Sequence, residues 1–285
     1  QYATDKGMRA VISTNGTLIT DEVAAKLKEI GLSYVGVSLD GLEKTHDRFR
    51  GKKGAFAAAI EGIRNCRKAG VKVGIRFTVN KHNLTDLQAM FDLLRKEKIE
   101  RMCFYHLVYT GRGSKLRNED LTHEETRRLL DLIAAETRKM FDDGLSPEIL
   151  TVDNHADGPY LYLKLKQEDP ARAKEVLELL EMNEGNSSGH GIGCVSWDGE
   201  VYPDQFWRNQ SLGNIRQKPF SAIWLDEKND LLVKLKDKKK YVHGRCASCC
   251  WLSVCGGNFR ARAESTGDLW GPDPACYLTD EEITA

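Results

Sequence analysis

The chain has 285 residues, with 42 Lys and Arg set against 42 Asp and Glu. Zero formal net charge excludes a nucleic-acid binder that works through bulk basic charge, and 41% hydrophobic with 29% charged residues excludes an intrinsically disordered chain. The longest apolar runs fall far short of the roughly 20 residues of a spanning helix, so no membrane partner is expected.

Arg9 to Ser13 reads as a strand ended by the Thr14-Asn15-Gly16 turn. Thr20 or Asp21 caps a helix that runs to Ile30 and stops at Gly31. Tyr34 to Leu39 is nearly all apolar, the pattern of a strand buried on both faces. A helix over about 55–69, a strand over 71–79, a helix from a Thr85 cap to about 97 and a strand over 102–109 follow. Strand and helix alternating at this spacing predict an α/β fold with a parallel sheet, part of a β/α barrel. Ligands of such sheets bind beyond the carboxyl ends of the strands, which singles out Asn15, Ser38, Asp40, Asn80 and the segment from Tyr109 through Gly111 to Arg112.

Residues 122–143 read as one amphipathic helix opened by a Thr122/Glu125 capping box. Residues 151–162 read as a loop that brings Asp153, His155 and Asp157 together, and 170–182 as a helix. The Gly-, Ser- and Asn-rich stretch 183–193 reads as a domain joint, and from Gly191 the pattern changes to short strands, turns and cysteines. The Lys234 to Lys240 run is expected to be a solvated helix end. The expected organisation is a partial barrel over 1–121, a helical linker with the substrate loop over 122–190, and a small cysteine-rich domain over 191–285.

Five of the eight cysteines lie between Cys246 and Cys276 in a long chain, which favours a reducing compartment and a metal site over a disulfide scaffold. The spacing Cys246-x2-Cys249-x5-Cys255-x20-Cys276 supplies four thiolates for one cage, suited to tetrahedral zinc or to a [4Fe–4S] cubane. Gly256 and Gly257 let backbone approach the metal, whereas Cys250, beside Cys249, is badly placed to aim the same way. Cys66 and Cys103 fall on apolar segments and read as core; Cys194 reads as packing, with a lone ligand as the alternative.

With these residues in hand, the chain resembles the SPASM-type radical S-adenosylmethionine (SAM) enzymes, a partial β/α barrel followed by an auxiliary iron–sulfur domain. The four spaced cysteines fit the second auxiliary cluster of that family's pattern. Two other positions depart from it: Phe259 stands four residues past Cys255, and Asp204 stands at the G-x4-C position counted from Gly199. The resemblance therefore implies one auxiliary [4Fe–4S] cluster. In the first half, Ser13 to Gly16, Ser38 to Gly41 and His46-Asp47-x2-Arg50-Gly51 match family turns. By resemblance Ser38 and Arg50 hold the SAM carboxylate, Asn15 and Asp40 line the same cleft, and adenine lies near Tyr109 and Gly111. The radical-cluster motif C-x3-C-x2-C and the Gly-Gly-Glu-Pro motif do not occur in these residues. The resemblance implies that roughly 100 further N-terminal residues carry that second [4Fe–4S] cluster, and that the printed chain alone would not cleave SAM.

The finer resemblance is to enzymes that modify iron-tetrapyrroles derived from sirohaem. It rests on the cysteine spacing, on Tyr202 to Trp207 with Leu212 to Ile215, and on Asp273 to Thr279. It implies removal of the acetate side chains of 12,18-didecarboxysirohaem to give Fe-coproporphyrin III in haem biosynthesis, with a reductant such as ferredoxin or flavodoxin, in a cytoplasmic setting. The alternatives are propionate modification in haem d1 biosynthesis, Fe-coproporphyrin decarboxylation, a peptide-modifying SPASM enzyme, and a zinc-stabilised binding module. Carboxylated tetrapyrroles need guanidinium partners and apolar walls, so Arg112, Arg208, Arg260, Arg262 and Trp207, with Asp153 and Asp204, are candidate substrate contacts. His155 is the candidate catalytic residue, as a ligand to the substrate iron or as a proton donor.

Overall fold

The computed structural model describes residues 1–284. Five strands, β1 (Val11–Thr14), β2 (Tyr34–Ser38), β3 (Val73–Thr78), β4 (Arg101–Tyr105) and β5 (Glu148–Val152), form one parallel sheet in sequence order. Each strand pairs with its neighbour in the chain, the order of a barrel wall and not of a doubly wound sheet. The register pairs Thr14 with Val37, Ser38 with Arg76 and Thr78 with Tyr105, so the residues that follow these strands emerge at one edge.

Between the strands lie helices over Asp21–Glu29, Ala55–Lys68, Leu87–Lys96 and His123–Asp142. The first is capped as expected, with Thr20 Oγ1 accepting from Val23 N at 3.2 Å. The second turns Ala59, Ile63 and Cys66 into the core and brings Gly62 against Gly16 so closely that a Cβ on Gly62 would lie 2.2 Å from the Gly16 carbonyl oxygen. Val37, Ile75, Phe77 and Phe104 are buried in the sheet, with half-buried Arg76 stacked on Tyr105 beside them, which accounts for the largely apolar strand sequences. The Thr122/Glu125 capping box forms, with Thr122 N donating to Glu125 Oε2 at 2.8 Å and Glu125 N to Thr122 Oγ1 at 3.1 Å.

The structure corrects several local expectations. Thr85 caps nothing: the helix is preceded by a single turn over Leu84–Asp86, and Asp86 spends its carboxylate on Leu42 N at 2.9 Å. β4 ends at Tyr105, short of the strand expected to reach 109. Only residues 153–156, with Asp153 and His155, are the loop expected over 151–162: β5 ends at Val152, and a helix runs from Asp157 to Glu168, its Pro159 lying in the first turn where the missing N–H costs nothing. Lys238, expected in solvent, is buried.

The residues separate into two compact units. One comprises Gln1–Leu107, Glu119–Leu121 and Asp131–Val152; the other comprises Val108–Asn118, Thr122–Leu130 and the chain from Asp153 onward. The second holds the packed helices Asp157–Glu168 and Pro170–Asn183 and a small antiparallel sheet of β6 (Cys194–Val195), β7 (Glu200–Tyr202) and β8 (Gly213–Asn214). Its apolar clusters centre on Val201, Ile223 and Leu232, and on Trp207, Leu235 and Ala261. Among the described residues no helix is long and apolar enough to cross a membrane.

Candidate functional site

In the first unit the edge beyond β1 to β3 is built from short polar side chains that fix the backbone. Asn83, fully buried, donates through Nδ2 to the carbonyls of Asp40 (3.1 Å) and Thr78 (2.9 Å) and accepts Asn80 N at 2.9 Å. Gly41 adopts φ +145°, and a Cβ there would stand 2.5 Å from Asp86 Oδ2, so the turn after Asp40 admits only glycine. Asn15 is exposed and accepts from Thr17 N and Oγ1. Ser38 is half-buried at the end of β2, next to the turn that carries Asp40.

Asp40 is buried, and its Oδ2 pairs with Arg50 Nε at 2.5 Å and stands 3.5 Å from His46 Nδ1. His46 Nδ1 accepts the Asp40 N–H at 3.0 Å, which fixes the neutral tautomer with its proton on Nε2; burial pulls its pKa down further. Asp40 thus pairs with Arg50 through Nε. Spacing alone could not find Asn83 and Asp86, because their work is to position other residues; His46 lies in the turn motif already singled out.

In the second unit Cys246, Cys249, Cys255 and Cys276 line one cavity whose remaining wall is mostly apolar, including Trp251, Leu252, Leu278 and Ile283. Cys255 ends a short helix, and Gly256, Gly257 and Asn258 continue in the left-handed region, which turns the chain sharply around the thiol. Backbone N–H groups two residues on, from Trp251, Gly257 and Leu278, donate to the sulfurs of Cys249, Cys255 and Cys276. Arg245 Nη1 lies 3.5 Å from Cys276 Sγ. Burial nevertheless pushes the Cys249 thiol up to about 11 and the Cys255 thiol up to about 12, so ionisation here requires a bound cationic centre. Among the described residues no group of three or more His, Cys, Asp or Glu is placed to hold a single metal ion, although all four thiols face one cavity. A lone tetrahedral zinc needs its sulfurs drawn together at bonds of about 2.3 Å. A set of four thiols also matches the ligand count of a cubane. Cys250 is exposed and absent from the cavity wall.

A second cleft of about 400 Å³ is lined by Tyr109, Thr110, Gly111, Phe206, Arg208 and Glu264, among others. Arg208 is exposed and stacks on Trp197 at 4.8 Å, and Arg112 is exposed nearby in the chain. Phe206 packs edge-on against Phe259, and Phe259 in turn stacks on His155, each at 5.8 Å between ring centres. The His155 backbone N–H donates to Asn258 Oδ1 at 2.9 Å, and no hydrogen bond fixes its ring nitrogens among the described residues. Burial, reinforced by Lys238, pulls the His155 pKa down to about 4, so the imidazole is neutral at pH 7, with one ring nitrogen protonated and the other carrying a lone pair.

Five of the candidate substrate contacts are occupied by the protein itself. Arg262 is fully buried and grips Asp273 through Nε (2.7 Å) and Nη2 (2.9 Å), with a further bond to the Asp153 carbonyl. Arg260 is fully buried on the carbonyls of Gly257, Leu269 and Gly271. Asp204 is buried and caps Phe206 N and Trp207 N while accepting Ser188 Oγ at 2.6 Å. Trp207 is fully buried, with Nε1 on Glu264 Oε2 at 2.6 Å, and Asp153 is buried at φ +72°. Arg260, Arg262, Asp204, Trp207 and Asp153 are therefore corrected from ligand contacts to parts of the framework. Composition marked them as anion or ring binders, but the same properties suit them to a small domain with little apolar core.

Comparison with known proteins joins the two halves. The Radical SAM superfamily model matches residues 1–94, and the SPASM iron–sulfur cluster-binding domain model matches residues 190–250. The chain is 63% identical to Fe-coproporphyrin III synthase of Methanosarcina barkeri, over 99% of its own length and 72% of the relative's. It is a radical SAM enzyme of the SPASM family. A second relative, pre-heme d1 synthase of Dinoroseobacter shibae, is 40% identical over 95% of this chain and 68% of its own. Among solved structures, native anSMEcpe with bound AdoMet superposes with a TM-score of 0.71 at 22% identity, covering 97% of this chain and 72% of that one. Streptococcus suis SuiB bound to precursor peptide SuiA gives 0.73 at 17% identity, covering 97% and 60%; these two likenesses show the fold alone. The cofactors of this radical SAM enzyme are accordingly SAM and iron–sulfur clusters. Cys255 and Cys276, which complete the thiol cavity, lie beyond the matched SPASM segment.

Proposed function

We propose that this radical SAM enzyme removes the acetate side chains of 12,18-didecarboxysirohaem to give Fe-coproporphyrin III in haem biosynthesis. The observation that carries the reading is the 63% identity to Fe-coproporphyrin III synthase across 99% of the chain. SAM and its radical cluster, when bound, supply the hydrogen-abstracting radical. Residues 1–121 form the barrel part, 122–190 the linker and 191–285 the auxiliary domain on this reading, and Cys246, Cys249, Cys255 and Cys276 hold the auxiliary [4Fe–4S] cluster. Ser38 and Arg50 would bind the SAM carboxylate, with Asp40 fixing Arg50 by its Nε. Arg208 and Arg112 would meet tetrapyrrole carboxylates, and Phe206 and Tyr109 would supply the ring surface. Neutral His155 suits axial ligation of the substrate iron. The electrons would come from a low-potential ferredoxin or flavodoxin in the cytoplasm.

The test is anaerobic turnover of the protein with its natural N-terminus, both clusters reconstituted, with products weighed by mass spectrometry. Fe-coproporphyrin III formed from didecarboxysirohaem supports the assignment. Loss of propionate mass instead would transfer it to the pre-heme d1 type of reaction, and an untouched tetrapyrrole alongside consumed SAM would end the tetrapyrrole reading. For His155, the Soret band of the bound ferric substrate is expected to shift on binding to the wild-type protein, and this shift should be lost in His155→Ala. An identical spectrum in the variant would remove His155 from the iron.

A further inference from the structure

Among the described residues, two buried cations of the second unit have no carboxylate in contact. Arg260 is 0% exposed, donates through Nη1 and Nη2 only to the carbonyls of Leu269, Gly271 and Gly257, and its Nε has no partner. Lys238 is 7% exposed and donates to the Asn186 carbonyl and, at 2.8 Å, to Asn186 Oδ1. Arg262, equally buried, is neutralised by its two bonds to Asp273. An uncompensated buried charge is strongly unfavourable, and burial pulls the Lys238 ammonium down to about 7, so Arg260 and Lys238 stay fully charged only beside an anion that neutral carbonyls do not replace.

The carboxylates near them are already engaged. Asp273 serves Arg262, Phe259 N and Ala275 N; Asp204 serves Ser188, Phe206 N and Trp207 N; and Asp268, the other acid near Arg260, serves Trp270 N, Gly271 N and His243. Both cations are anchored to the loop that carries the cluster ligands: Arg260 Nη2 donates to the carbonyl of Gly257, which lines the thiol cavity, and Cys255, once ionised by a bound cluster, lies in the field of both. Asn186, which holds Lys238, donates its backbone N–H to the Cys255 carbonyl at 3.1 Å, so the lysine is tied to the cluster loop. A cubane with four thiolates is an anion that becomes one electron more negative on reduction, and nearby positive charge favours that reduced state.

We infer that Arg260 and Lys238 are the buried counter-charges of the auxiliary cluster and raise its reduction potential. The inference rests on the cluster held by the four cysteines and is independent of which substrate the enzyme uses. Both are positioning residues that act through the cluster. The test is a potentiometric titration, followed by electron paramagnetic resonance, of the anaerobically reconstituted protein with its natural N-terminus. The auxiliary signal is identified as the one SAM does not perturb. Arg260→Gln and Lys238→Met are each expected to lower its midpoint by about tenfold in the one-electron equilibrium, about 59 mV. Arg260→Lys and Lys238→Arg should keep the wild-type midpoint, and the SAM-responsive cluster should not move in any variant. Unchanged midpoints in both neutral variants, or an equal shift of the SAM-responsive cluster, would overturn the inference. Should a neutral variant lose the auxiliary cluster, the charge-keeping pair decides. The cluster retained at the wild-type midpoint supports the counter-charge role; loss of the cluster there too would show that the site requires shape and not charge.

Discussion

Asp273→Ala is expected to destabilise the protein by about 3–5 kcal/mol, the cost of leaving a buried guanidinium without its partner. Arg262 and Asp273 are both without solvent exposure in their side chains and are joined by two bonds of 2.7 and 2.9 Å. Burial alone would drive the Arg262 pKa down, and the Asp273 carboxylate outweighs it and raises it instead. The same carboxylate accepts Phe259 N at 3.1 Å and Ala275 N at 2.9 Å, so the substitution also frees two backbone donors next to the loop that carries Cys276. A melting temperature lower on the order of 10 °C should be seen by calorimetry under anaerobic conditions. Asp273→Asn, which keeps an acceptor but not the charge, should fall between the two. A melting temperature for Asp273→Ala within a degree of wild type would mean that Arg262 finds another anion.

Cys255→Ala carries the second large effect. The Cys255 sulfur lines the cavity with three other thiols and accepts the Gly257 N–H, and its carbonyl receives Asn186 N. Losing this ligand should remove the auxiliary cluster, so iron and sulfide per chain should each fall by about four. Because the energy of binding a metal group is part of the folding energy of a small domain, protease resistance of the C-terminal region should fall with it. Cys250→Ala is the matched control. That thiol is exposed, contacts the Glu282 carbonyl weakly at 3.9 Å and takes no part in the cavity wall, so iron and stability should both be unchanged. Equal iron loss from the two variants would contradict the assigned ligand set.

The parallel sheet and the cysteine cage were legible in the sequence for physical reasons. Doubly buried strands need continuous apolar runs, as Tyr34 to Ser38 shows, and thiolate spacing follows from tight turns around a metal. β5 escaped notice because Ile149, Thr151 and Val152 are only half-buried and Leu150 is exposed, which leaves neither an apolar run nor a clean alternation. The helix after it was hidden by Gly158-Pro159, which signals a turn in isolation but fits the first turn of a helix. The fates of Arg260 and Lys238 could not be read locally. Arg260 is held by the carbonyls of Gly257, Leu269 and Gly271, which a loop curls back onto it, and Lys238 by the side chain of Asn186, remote in sequence and brought in by the fold. His155, by contrast, stood out among its acidic neighbours, and the structure adds that its ring is stacked on Phe259, in a setting whose burial pulls its pKa down.

The account depends most directly on what the four C-terminal thiols enclose. Anaerobic purification of the protein with its natural N-terminus, followed by iron, sulfide and zinc analysis and paramagnetic resonance with and without SAM, addresses that point. Two cubane signals are predicted, one altered by SAM and one not, with the unaltered one absent from Cys255→Ala. A single SAM-altered cluster accompanied by stoichiometric zinc that disappears in Cys255→Ala would contradict it.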